Sequence, residues 1–170
     1  MQKRVLLTSC FVLFLAAAPA LAQNSVRTAG EKITGAAYRE QSSQAYWSGA
    51  YTHANALNEY ARSYSYIPAE TADEHTAEVH RNVTAAKKEV SKLGNRAKTD
   101  KKLQGHVDTL HKHYDAALGH SKDLSAEAKK GDKADPKKLS ASAAGMSDSL
   151  KAADAEHKKM HEHLKSTDGK

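Results

Sequence analysis

Cysteine is almost absent from this chain of 170 residues, and its single example, Cys10, lies in an apolar N-terminal stretch. Disulfides, thiolate zinc sites, thiol catalysis and covalent c-type haem attachment are therefore excluded together for the remainder. Proline is scarce as well, with three residues. No β-branched alternating run occurs, so the class is all-α. Long hydrophobic runs are missing apart from residues 5–18, which are too short and wrongly flanked for a membrane anchor.

The N-terminus instead carries an export signature. Lys3-Arg4 form a basic start, residues 5–18 an apolar run, and Ala20-Leu21-Ala22 an A-x-A cleavage site before Gln23. A lipoprotein reading of Leu7-Thr8-Ser9-Cys10 fails because Cys10 falls midway through the apolar run. The expectation is a signal peptide over residues 1–22, then one domain over 23–170, periplasmic or secreted, with no membrane contact after cleavage. Losing Lys3 and Arg4 lowers the net charge from +6 to +4. Lys/Ala richness would suit nucleic acid, but export argues against that partner.

Four helical segments are predicted, at about residues 31–66, 69–93, 99–130 and 136–165. The first follows a seam of Ile33, Ala36, Glu40, Ser43, Trp47, Ala50, Ala54, Leu57, Ala61 and Tyr64, whose upper half is unusually polar and holds Gly35 and Gly49. Ile67-Pro68 breaks it. The second seam runs Ala72, Thr76, Val79, Val83, Ala86, Val90, Leu93, with Gly94-Asn95 as a stop. The third runs Leu103, Val107, Leu110, Tyr114, Ala117, Ser121, Leu124, Ala128, capped by Thr99 or Asp100 and ended by Gly131. The fourth starts at Asp135-Pro136 and follows Leu139, Ala143, Met146, Leu150, Ala153, His157, Met160, Leu164. Short connections make neighbours antiparallel, which predicts an up-down-up-down four-helix bundle.

The ten histidines carry the functional signal. With Val107 at heptad position a and Leu110 at d, His106, His113 and His120 fall at g and His111 at e. The same register puts His53, His75 and His163 at g, His80 and His161 at e, and His157 at a. None faces outward at b, c or f, whereas chance would put only about three of ten at e or g. Helix rise then stacks His106, His111, His113, His157, His161 and His163 in roughly the top 20 Å, with His53, His75, His80 and His120 lower. Glu40 reaches the top of the first seam, and Asp108 and Asp154 stand one turn from His111 and His157.

Imidazole suits Cu(II), Zn, Ni and Fe, and carboxylates complete such sites or orient the rings. His157 and His161, four residues apart, form a chelating pair on one helix face. The expected function is binding of Cu or Zn for sequestration, buffering or delivery, without catalysis; dimerisation is one way of completing the sites. Met160 reads as core filling, and Trp47, Tyr46, Tyr51, Tyr60 and Tyr64 as packing of the lower half. Two other classes stay open. One is a structural or stress-response bundle whose histidines make it pH-sensitive. The other is a di-metal oxidase: Asp108-x-x-His111 and Asp154-x-x-His157, with Glu40 and Glu89, resemble the carboxylate-plus-His pattern of ferritin-like bundles. The pattern departs in using Asp twice, on consecutive helices, and in lacking the long crossover.

Overall fold

The structure is a computed structural model and describes residues 35–64 and 66–168. The export signal and Ile33 lie outside the described residues. The chain is all-α and bundle-like. Its elements among the described residues are α1 (Gly35–Ser63), α2 (Ala69–Ser91), a short α3 (Gly94–Ala97), α4 (Lys101–Ala128), a 3-10 turn (Gly131–Lys133) and α5 (Pro136–Asp168). No described helix is long and apolar enough to cross a membrane.

The predicted seams of α2, α4 and α5 are buried at every position, from Ala72 to Leu93, Leu103 to Ala128, and Leu139 to Leu164. Alanine recurs through this core, at Ala50, Ala54, Ala72, Ala86, Ala117, Ala143 and Ala153. Such residues let helices approach closely but each removes little apolar area from water. Larger side chains, notably Tyr114, Leu57, Met146 and Met160, fill the intervals. On α1 the seam is less complete. Ala36, Trp47 and Ala61 are only partly buried, and Tyr64 is exposed. Tyr46 is exposed too, which corrects its reading as packing; Tyr51 and Tyr60 do pack against the core.

Each long helix packs on two others: α1 on α2 and α5, and α4 on α2 and α5. Cross-helix pairs give their directions. Arg39 meets Glu89 while His53 meets His75; Glu40 meets His161 while Trp47 meets Leu150. Lys87 meets Asp115 while Asp73 meets Ser125; Asp100 meets His163 while His106 meets Glu156. In every pair one number rises as the other falls, so neighbours run antiparallel.

Helix ends follow local chemistry. Asp100 caps α4, its side chain accepting from the backbone N–H groups of Lys102 and Leu103 at 3.1 and 3.0 Å. Asp135 accepts from Lys137 N at 2.9 Å at the start of α5. Gly131 adopts φ +58°, the left-handed conformation that glycine takes without a Cβ clash. The second helix ends at Ser91, close to the expected end, but Gly94 does not take the left-handed conformation of a glycine stop. Lys92 and Leu93 stay in the right-handed helical region, and the chain re-enters a turn over Gly94–Ala97. Leu93 and Ala97, four residues apart, are both buried and hold that turn on the core. At the other connection α1 stops at Ser63, and Ile67 is buried ahead of Pro68.

One glycine explains a histidine. A Cβ built on Gly145 of α5 would lie 2.7 Å from the His120 ring, so the imidazole occupies the notch left by the missing side chain. Gly145→Ala on its own should therefore cost stability through overpacking. In a His120→Ala background the same change should stabilise by about 1 kcal/mol, the helix-propensity gain alone. Urea denaturation of the four variants checks this coupling, and equal effects in both backgrounds would refute it.

Candidate metal centre

The polar upper half of the α1 seam faces the histidines of α5. Glu40 and Ser43 are three residues apart and share the inward face. One turn on, the Trp47 indole donates to the Leu150 carbonyl at 2.6 Å and fixes the register of α1 against α5. Seven residues away on each helix, Glu40 then lies level with His157.

The resulting cluster is nearly dry. Glu40 is 1% exposed, and Ser43, Tyr114 and His157 are 0% exposed. Ser43 Oγ donates to the Ala86 carbonyl at 3.2 Å and lies 3.4 Å from Tyr114 Oη and 3.3 Å from His157 Nε2. Tyr114 Oη and His157 Nε2 are 2.7 Å apart. On the other side of the ring, His157 Nδ1 is buried and makes no hydrogen bond; Glu40 Oε1 is 3.6 Å away. The second oxygen, Glu40 Oε2, is 3.2 Å from Nδ1 of His161, which stands one turn further along α5 and is 46% exposed.

Proton counting narrows the tautomer. Ser43 has one hydroxyl proton and gives it to Ala86, so its oxygen is an acceptor for its other neighbours. Burial pushes the Tyr114 hydroxyl well above its ordinary value, with the Ser43 bond opposing and Glu40 reinforcing, so the phenol keeps its proton. Two arrangements fit these contacts: His157 Nε2–H donates to Tyr114 and Tyr114 to Ser43, or Tyr114 donates to His157 Nε2 and Nδ1–H points at the Glu40 carboxylate. In the first, His157 Nδ1 is a bare lone pair facing the Glu40 carboxylate; in the second it carries the proton. An open cleft of about 740 Å³ between α1 and α5 borders His161.

The remaining histidines are distributed differently from the expected two clusters. His106 and His163 sit side by side on the α4–α5 seam, ring centres 5.8 Å apart. His106 Nδ1 is 2.6 Å from Glu156 Oε1, and its Nε2 is buried without a partner. His163 Nε2 is 2.7 Å from Asp100 Oδ2. His111 instead reaches α2, with Nε2 3.3 Å from Ser91 Oγ, and His113 is half-buried elsewhere on α4. The upper set is thus three separate groupings plus His113. In the lower set only His53 and His75 meet, Nδ1 to Nδ1 at 3.1 Å across α1 and α2. His80 is exposed, and the ring of His120, on α4, packs against α5 at Gly145.

Of the expected carboxylate partners, Glu40 is in place and the two aspartates are engaged elsewhere. Asp108 accepts from Gln104 at 2.7 Å and Asp154 pairs with Lys158 at 2.6 Å, each along its own helix. Glu89, the other acid of the oxidase pattern, pairs with Arg39 and Lys92. The acids that do meet histidines are Glu156 and Asp100. Glu156 occupies g on α5 opposite g of α4, where charged partners cross an antiparallel seam, and that register signal was available in the sequence. Asp100 was legible only as a cap. Among the described residues, no group of three or more His, Cys, Asp or Glu side chains is gathered as it stands around a point an ion could take. Comparison with protein-family models, curated proteins and solved structures found no match to this chain.

Several groups titrate away from their ordinary values. Burial, then the neighbouring His53, hold His75 below its usual range against the pull of Glu74 and Glu78. Burial and Lys87 do the same to His111. Burial raises Glu156, but the bonds from His106 and Lys159 outweigh it and leave the carboxyl low. Asp100 is lowered chiefly by the Leu103 N–H, and Glu89 chiefly by Lys92. All these depressed groups bind protons less readily folded than unfolded, so their contribution is present above the unfolded value and lost as pH falls. Relative to a His75→Asn/His111→Asn double variant, the parent's melting temperature should fall as pH drops below 6.5, where the unfolded chain takes up protons at these two positions before the folded one does. A parent-minus-variant difference that grows in the parent's favour between pH 7 and 5.5 would contradict the assignment.

Proposed function

We propose that this chain is an exported, up-down-up-down four-helix bundle that binds a transition-metal ion, Cu or Zn, at Glu40, His157 and His161, for sequestration, buffering or delivery in the periplasm or outside the cell. One observation carries the reading: the buried, unpartnered Nδ1 of His157, aimed at a carboxylate that a second imidazole shares. Leaving a buried acceptor unsatisfied costs about 1–3 kcal/mol, which an ion on that lone pair would offset. Ligating nitrogens usually have their other ring nitrogen held by a hydrogen bond, the part Tyr114 plays for His157.

Distances support the same reading. Two donors on one tetrahedral ion, each at about 2.1 Å, stand about 3.4 Å apart. The two His–Glu separations, 3.2 and 3.6 Å, bracket that value. His161 is the exposed member of the set, and its ring would adjust toward the ion; water from the adjoining cleft would fill the remaining position. Asp108, Asp154 and Glu89, the acids an oxidase would draw on, are engaged with Gln104, Lys158, Arg39 and Lys92, so binding is the reading rather than an oxidase.

A second reading, a bundle whose histidines make it pH-sensitive, draws on a separate observation. A histidine contact crosses each packed seam: α1–α2, α2–α4, α4–α5 and α1–α5. The two readings part in a metal titration of the mature chain. Metal binding predicts that Cu(II) or Zn(II) at a hundred times the dissociation constant adds about 2.7 kcal/mol and raises melting by roughly 5–10 °C. Glu40→Gln should remove the share of that rise that this centre supplies while leaving the protein folded. No ion-specific shift in the parent chain would leave the pH-sensitive bundle as the account.

A further inference from the structure

We propose that His53 and His75 form a second, independent metal site, a two-nitrogen clamp that ties α1 to α2 through a divalent late first-row ion. The site does not depend on Glu40 or on any residue of α5, and shares with that centre only the class of ligand.

The argument starts from where the two rings are. His53 lies on α1 and His75 near the start of α2, and the chain between them turns at Pro68. Antiparallel packing brings both to one level of the α1–α2 seam, each half-buried. Their Nδ1 atoms are 3.1 Å apart and their ring planes are inclined by 61°. Two nitrogens at about 2.05 Å from one ion are about 2.9 Å apart at a right angle and about 3.3 Å apart at the tetrahedral angle. The observed separation lies between the square-planar preference of Cu(II) and the tetrahedral preference of Zn(II).

Without an ion, the same contact is a hydrogen bond in which one Nδ1–H donates to the other ring's bare Nδ1. An ion takes the place of that shared proton. Both rings then carry their proton on Nε2, so one ring changes tautomer and no net proton is released. Burial and the neighbouring ring keep His75 neutral to lower pH than an exposed imidazole, which keeps its lone pair available. Glu74 and Glu78 lie close enough to act on His75, and their negative charge favours a bound cation; Arg81 pairs with Glu78 and tempers that one. Half-exposure leaves room for water to complete the coordination.

The test is a titration of the full chain and of His53→Gln, His75→Gln, the double variant and Glu40→Gln, with Zn(II) by calorimetry and with Cu(II) by electron paramagnetic resonance. Each single His variant should bind one ion fewer than the parent, the double variant no fewer than either single, and Glu40→Gln should keep this ion. Unchanged stoichiometry in either His variant, or loss in only one of them, would overturn the clamp. If the His variants lose an ion and Glu40→Gln loses none, the clamp stands and the Glu40 centre falls; the reverse pattern separates the two in the other direction. Should His75→Gln fail to fold by circular dichroism, His75→Asn and His53→Gln decide the matter.

Discussion

A buried polar chain links all four long helices at one level of the core: Glu40 and Ser43 from α1, the Ala86 carbonyl from α2, Tyr114 from α4 and His157 from α5. In an interior otherwise made largely of alanine and leucine, each of these groups would be expensive to bury alone. Their mutual bonds make burial tolerable and also demand one register, since sliding any helix by a turn would strand several polar atoms. The Trp47–Leu150 bond and the Asp100–His163 pair hold the flanking levels in step. Alanine packing supplies closeness without much specificity, and the polar level supplies specificity without much hydrophobic gain.

That division explains what could be read from sequence. The seams of α2, α4 and α5 were legible because apolar residues recur there every three or four positions, and the structure buries each of them. The upper part of α1 was the weak stretch, with Glu40 and Ser43 where leucine would be expected; it is weak because it forms one wall of the candidate centre. Asp100, Asp135-Pro136 and Gly131 announced helix ends through chemistry local to the backbone. Around Gly94 local and tertiary signals both act. The second helix ends at Ser91 as the sequence suggested, and burial of Leu93 and Ala97 then holds a further short turn on the core.

Partners across seams were less legible than seams. Heptad position placed nine of the ten histidines at the edge of the core and His157 within it, but not which acid or ring each would face. Asp108 and Asp154 looked suitable by being one turn from a histidine, yet each is satisfied along its own helix by Gln104 or Lys158. The partners found instead, Glu156 for His106 and Asp100 for His163, come from the facing helix. His53 and His75, 22 residues apart in sequence, meet only because the Pro68 turn folds α2 back at that distance. His120 depends on the space at Gly145, a feature of α5 that no pattern on α4 encodes.

The central claim concerns one atom, the Nδ1 of His157, as a bare lone pair held toward Glu40 by the bond from the opposite nitrogen to Tyr114. Nitrogen-15 NMR of the histidine side chains, in the metal-free protein at neutral pH and again after zinc, tests it most directly. The account predicts a protonated Nε2 and an unprotonated Nδ1 on His157, with the Nδ1 resonance shifting strongly on adding zinc. A protonated Nδ1, with Nε2 accepting from Tyr114 and neither resonance responding to zinc, would contradict it.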